Sequence, residues 1–187
     1  ETHVPNDQLE AFANDLEAQV SPQKPALLMY TSGTTGVPKG VLLTQSQLAH
    51  NALSIVAEHG LTEHDRVLAV LPLYHINAFM VTMLAPLVSG GSLALVSRFS
   101  VGRFWHQAST MNCSWINLVP TMVSYLLEHE APHVSTTHNI KFCRSASASL
   151  PPEHLQGFEN KFGIGVIETM GLTETAAPAF SNPLNRS

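Results

Sequence analysis

Between residues 26 and 168, short apolar stretches alternate with segments of helical period, and this alternation restricts what the chain can fold into. The stretches 26–31, 40–43, 66–71, 92–96, 114–119, 140–145 and 165–168 read as buried strands. The segments 44–59, 75–89, 104–111, 121–130 and 151–162 read as helices, and 7–20 as a further one. Thr44 is placed to cap the first of these, with Leu48, Ala52, Ile55 and Val56 on one side. In segment 7–20, Leu9, Phe12, Ala13 and Leu16 keep the same spacing behind Asn6 or Asp7, and Pro22 and Pro25 end it. Apolar strands alternating with helices of about three turns predict an α/β fold, with parallel sheets flanked by helices on both faces. No repeat, low-complexity segment or internal linker interrupts the pattern. Ligands of such sheets bind outside the carboxyl ends of the strands. Chemistry is therefore expected in the loops 31–39, 145–149 and 170–175.

The first of these loops reads Tyr30-Thr31-Ser32-Gly33-Thr34-Thr35-Gly36-Val37-Pro38-Lys39-Gly40. Its glycines allow backbone to approach an anion closely. Thr31, Ser32, Thr34 and Thr35 add hydroxyls, and Lys39 adds a point charge suited to phosphate. The order G-x-x-x-x-G-K-[ST] of a Walker loop is not met, because Lys39 precedes Gly40. A P-loop kinase or ATPase is disfavoured on that ground. A polar turn between two strands is the plainer reading of the same residues.

The sequence 30–40 resembles the signature of the adenylate-forming superfamily, which includes acyl-CoA synthetases, luciferases and the adenylation domains of peptide synthetases. Three further segments resemble that family in the same order. Gly171-Leu172-Thr173-Glu174 is similar to its second signature, Arg144-Ser145-Ala146-Ser147-Ala148-Ser149-Leu150 to its small-residue segment beside adenine, and Leu71-Pro72-Leu73-Tyr74-His75-Ile76-Asn77 to the segment bordering its acyl site. The resemblance covers residues 20–185. It implies that Thr31, Ser32, Gly33, Thr34, Thr35, Gly36 and Lys39 contact the β- and γ-phosphates of ATP. It implies that Thr173 bonds the α-phosphate, that Glu174 holds Mg²⁺, and that His75 lines and gates the acyl site. Ser147 and Ala148 would lie on one side of the adenine, and Glu168, Thr169 and Met170 on the other. Where this chain has Met170 the family often has an aromatic residue; methionine sulfur also packs on rings. The acyl pocket is expected to use Asn77, Ala78, Val119, Pro120 and Met170.

The activity so implied is ATP-dependent formation of an acyl-adenylate, then thioester formation with coenzyme A. The substrate class stays open among fatty, aromatic and small dicarboxylic acids, although Ser181-Asn182-Pro183-Leu184 is similar to a stretch of ligases for dicarboxylates such as oxalate. Amino-acid-activating domains place an aspartate near His75, and residues 74–80 contain none. That reading is kept as an alternative, as are a non-catalytic nucleotide-binding or interaction module and a kinase-like phosphotransferase. The family's ribose-binding aspartate segment, hinge and C-terminal domain with its catalytic lysine are expected beyond Ser187. Residues 1–187 are therefore read as part of an AMP-binding domain, with weak ATP binding at most on its own.

Charge and composition set the remaining expectations. The formal net charge is −5, which does not fit a nucleic-acid partner. Hydrophobic residues make up 44% and charged ones 12%, against about 25% charged in average domains, so part of the surface is expected to be covered by further chain or a partner. A homo-oligomer is left open. The longest apolar stretch, 78–88, is about half a membrane span and contains Thr82 and Pro86. The first residues lack the basic and apolar regions of a secretory signal. Cys113 and Cys143 read as reduced core thiols. A soluble cytoplasmic protein is the expectation. His129-Glu130-Ala131-Pro132-His133 matches the zinc-protease pattern H-E-x-x-H, but Pro132 would break the helix that pattern needs, even with His138 nearby.

Overall fold

The structure, a computed structural model, describes residues 20–32, 36–130, 137 and 139–183. The expected helix over 7–20 and the centre of the hydroxyl-rich loop, Gly33, Thr34 and Thr35, lie outside the described residues.

The first two strands depart from the parallel expectation. β1 (Pro25–Thr31) and β2 (Lys39–Thr44) pair antiparallel, with Tyr30 opposite Gly40 and Thr31 opposite Lys39, in a two-stranded sheet of their own. The reason is chain length. Residues 32–38 suffice for a hairpin, whereas a parallel crossover needs about a dozen residues or more. The candidate phosphate loop is thus a hairpin loop.

Thr44 ends β2 and caps α1 (Gln45–His59). Its Oγ1 accepts from Gln47 N at 3.3 Å, and its N donates to Gln47 Oε1 at 2.8 Å, a complete capping box. Gly60, left-handed at φ 58°, closes the helix.

The main sheet has the order β4 (Ser92–Leu95), β3 (Arg66–Ala69), β5 (Trp115–Leu118), β6 (Phe142–Ser145), β7 (Val166–Met170), β8 (Phe180–Ser181). Neighbours from β4 to β7 are parallel; β8, which the sequence pattern did not reveal, joins β7 antiparallel. Adjacent residues along each parallel strand enter different cores. Val67, Trp115, Phe142 and Ile167 pack on one face with Leu48, Ala52 and Ile55 of α1 and with Met80, Val81 and Ala85. Leu68, Ile116, Cys143 and Val166 pack on the other. There they meet α3 (Val101–Thr110), α4 (Pro120–Glu128) and α5 (Pro152–Phe162) through Phe104, Trp105, Val123, Leu126, Phe158 and Phe162. The two-residue side-chain period of a strand is what feeds both layers. Cys113 and Cys143 are free and buried, as expected.

The helix expected over 75–89 is not uniform. A π-helix (Ala78–Leu84) runs into α2 (Ala85–Val88), and Ala85 N donates to Met80 O, five residues back. Single π turns concentrate at functional sites, and this one follows directly on His75 and Asn77. The helix that the H-E-x-x-H pattern needs does not begin there: α4 stops at Glu128 and His129 is already extended at φ −85° and ψ 159°, while Ala131, Pro132, His133 and His138 lie outside the described residues. Lys161 Nζ instead donates to the carbonyls of Leu126, Leu127 and His129, a cation at the negative end of α4. No helix among the described residues is long and apolar enough to cross a membrane.

Asp65 ties the amino ends of three strands together. Its carboxylate accepts from Thr62 N (3.0 Å), Thr62 Oγ1 (3.0 Å) and Ser114 Oγ (2.7 Å), and pairs with Lys141 Nζ at 2.7 Å. Burial pushes this carboxyl up, but the bonds from Lys141, Ser114 and Thr62 together outweigh it and hold it below the usual carboxylate range. A group with a depressed folded pKa contributes stability above its unfolded pKa and loses it as pH falls through the folded one. Asp65→Ala should therefore cost about 2–3 kcal/mol at neutral pH. The gap to wild type should narrow on acidification below the ordinary aspartate range, as read by urea unfolding across pH.

Candidate active site

The carboxyl ends of β3, β5, β6 and β7 open onto two adjoining cavities of about 680 Å³ each. The first is bounded by Thr31 and Ser32 from the hairpin, by His75, Asn77 and Ala78, by Val119 after β5, by Arg144 and Ser147 from β6 and its loop, and by Thr173 and Glu174. The second is bounded by Ser147, Ala148, Glu168, Thr169 and Met170, with Phe180 and Asn182 closing its outer side. Ser147, Gly171 and Leu172 belong to both and form a common wall.

Most of the residues singled out from sequence meet here. His75 is exposed, its ring tilted against Tyr74 at 4.5 Å between centroids. Thr173 and Glu174 sit in a one-turn 3-10 helix (Thr173–Thr175) after β7. The Glu174 carboxylate is exposed and makes no hydrogen bond or ion pair with any described residue, so it is free to face a ligand. Ala148, Thr169 and Met170 line the second cavity. Glu168 also lines it, but its Oε1 accepts from Leu150 N at 2.9 Å, which pins the small-residue loop to β7. Thr169 Oγ1 is buried without a partner among the described residues.

Some expectations fall elsewhere. Gly36, at φ 81°, and Lys39, at the start of β2, line neither cavity. Of the five residues expected in an acyl pocket, Asn77, Ala78 and Val119 line the first cavity, Met170 lines the second, and Pro120 lines neither. Pro120 is already the first residue of α4, so its ring is committed to opening that helix.

Two residues gain a role that the sequence reading did not give them. Arg144, in the middle of β6, is 1% exposed. Its Nη1 donates to Asn77 Oδ1 at 2.6 Å and to Asn117 Oδ1 at 2.9 Å, and its Nε is buried without a partner among the described residues. Asn117 Nδ2 donates to Asn77 Oδ1 at 3.4 Å, and Asn77 Nδ2 donates to Ser147 Oγ at 3.2 Å. Among the described residues no carboxylate pairs with Arg144. Burial lowers its guanidinium to about 9, so it keeps its charge at neutral pH. Burial, with the charge of Arg144 adding, lowers His59 to about 4 and leaves that imidazole neutral. The sequence signal was present. An arginine and an asparagine each interrupt an otherwise apolar strand run, and buried polar groups in such places need partners. Ser147 itself holds φ 75°, in the left-handed region. Strain of this kind in a non-glycine residue clusters at ligand sites.

The family of AMP-binding enzymes matches residues 1–187, and the chain belongs to that family. It is 60% identical over 164 residues to a sulfoacetate–CoA ligase of Cupriavidus necator, covering 88% of this chain and 32% of that protein. It is 40% identical over 166 residues to an oxalate–CoA ligase of Arabidopsis thaliana, covering 87% and 32% respectively. The crystal structure of ATP-bound MatB from Rhodopseudomonas palustris superimposes with a TM-score of 0.82 at 29% identity, over 89% of this chain and 33% of that one. The chain thus spans about a third of the length of the relatives it matches.

Gly171 is packed against the loop that follows it. A Cβ there would lie 2.8 Å from Pro178 Cα and 2.9 Å from Ala177 Cα and Cβ. Gly171→Ala should displace the common wall and cost about 1–3 kcal/mol as overpacking does, which thermal melting measures.

Proposed function

We propose that this chain forms the nucleotide- and acid-binding part of an AMP-forming acid–CoA ligase whose acid carries a second anionic group. The observation that carries the reading is Arg144, a buried guanidinium at the wall of the first cavity with only neutral protein partners. A buried charge without a counter-ion is costly, and an anion in the cavity would relieve that cost. A fatty tail would leave the charge unmet, and an α-ammonium would be repelled, which weighs against a fatty-acid or amino-acid substrate. Sulfoacetate and oxalate, named for two relatives, each carry two anionic groups.

In this reading the adenine lies in the second cavity, between the 147–148 loop and residues 168–170. The triphosphate runs past the common wall towards Thr173, Thr31, Ser32 and the hydroxyls of Thr34 and Thr35, with Gly33, Gly36 and Lys39 contributing backbone and charge. The acid occupies the first cavity, its second anionic group towards Arg144 and its reacting carboxylate towards Ser147 and His75. That carboxylate attacks the α-phosphorus, the bond to the β-phosphate oxygen breaks, and pyrophosphate leaves. The thiolate of coenzyme A then attacks the acyl carbon and AMP departs. Positioning and charge stabilisation supply the rate in displacements at phosphorus. Glu174, an exposed carboxylate without a protein partner among the described residues, fits a Mg²⁺ site completed by phosphate oxygens, and the ion would neutralise phosphate charge. A further domain of the same protein, beyond Ser187, is proposed to close over the site.

ATP–pyrophosphate exchange by the full-length protein, across a panel of acids, tests this. Sulfoacetate or a small dicarboxylate should drive exchange far better than acetate or a long-chain acid; exchange driven only by fatty or amino acids would sink the reading. Glu174→Gln should remove magnesium-dependent exchange, and unchanged exchange would remove the metal assignment.

A further inference from the structure

Asn117 does not line the first cavity, is fully buried, and yet bonds to Arg144, which does line it. Its Oδ1 and that of Asn77 accept from the same nitrogen of Arg144, at 2.9 and 2.6 Å, and the two amides are tied by a bond of 3.4 Å. The amides thus fix where the guanidinium points. Being neutral, they fix it without cancelling its charge. An aspartate at either place would still accept from the arginine and would bury a stable ion pair, giving up only the amide's own donor bond, to Asn77 or to Ser147. The sequence has an asparagine at both.

We propose that Asn117, acting with Asn77, is a positioning residue that aims Arg144 at the second anionic group of the acid while leaving its charge available, and so sets the preference for dianionic over monoanionic acids. The inference rests on the dianionic reading under Proposed function. It predicts that charge neutralisation inside the amide pair, without change of size or loss of acceptor, is enough to erase substrate discrimination.

The test is Asn117→Asp in the full-length protein. Two quantities are measured: the melting temperature, and kcat/KM for sulfoacetate relative to acetate in the same exchange assay. The variant keeps both acceptors for Arg144 and loses only the long 3.4 Å amide bond to Asn77, so its melting temperature should hold or rise as Arg144 gains an internal ion pair. The sulfoacetate-to-acetate ratio should fall by about tenfold or more, chiefly through KM for sulfoacetate, because pairing the recognising charge removes its long-range attraction for the ligand. Asn77→Asp places the same charge from the other amide and should lower the ratio likewise, which covers the case of an insoluble first variant. A purely structural asparagine would give the stability gain with an unaltered ratio, and that result overturns the proposal. A wild-type enzyme with no preference for dianionic acids would overturn the function proposed above and this inference together. A wild-type preference that Asn117→Asp and Asn77→Asp both retain would overturn this inference alone.

Discussion

A parallel sheet covered on both faces leaves polar side chains almost nowhere to go except beyond its strand ends. In this chain Val67 and Leu68, Trp115 and Ile116, and Phe142 and Cys143 are pairs of neighbours sent to opposite cores, and every such pair is closed to water. The exclusion of polar groups from the layers gathers chemistry at two edges. At the amino edge Asp65 holds the strand starts together through Thr62, Ser114 and Lys141. At the carboxyl edge the loops after β3, β5, β6 and β7 enclose the two cavities. One edge ties the strand starts together and the other carries the cavities.

Arg144, with Asn117 beside it, is an exception to that exclusion, a polar group held inside the strands. Its Cα lies within β6, its neighbours Cys143 and Ser145 are buried, and the dry surroundings push the Cys143 thiol well above its ordinary range. The same dryness that makes the guanidinium costly to bury strengthens whatever it attracts, since charges interact more strongly where water is excluded. Asn77 and Asn117 meet its hydrogen-bonding needs in part and leave its charge alone. The π turn that begins at Ala78 follows immediately on Asn77, so the irregular helix and the polar cluster belong to one piece of local structure.

How much of this was legible beforehand varied with the range of the interaction. The capping box at Thr44 and Gln47 and the glycine stop at Gly60 are local chemistry, and α1 lies where its residues put it. The two-sided burial of the parallel strands was legible from their continuous apolar runs. The direction in which β1 and β2 pair was not, because an apolar run looks the same whichever way its partner lies, and only the shortness of residues 32–38 decides it. The strand β8 has two residues and carries no period to detect. Of the site, the glycine, hydroxyl and acidic positions were visible as ordered motifs. The arginine at its centre was not singled out, because Asn77, Asn117 and Arg144 come from three separate segments and acquire meaning only when the sheet brings them together.

The common wall has a consequence of its own. Ser147 takes a hydrogen bond from Asn77 on the side of the first cavity and, with Ala148, lines the second, at a backbone conformation that leaves it little freedom. A ligand that shifts this residue in one cavity therefore alters the energy of filling the other. Under the function proposed above such linkage would be reciprocal by thermodynamic necessity: whatever factor nucleotide contributes to the affinity for acid, acid would return to the affinity for nucleotide. A single serine, left-handed in backbone and lining both pockets, is the residue through which the two proposed binding equilibria would speak to each other.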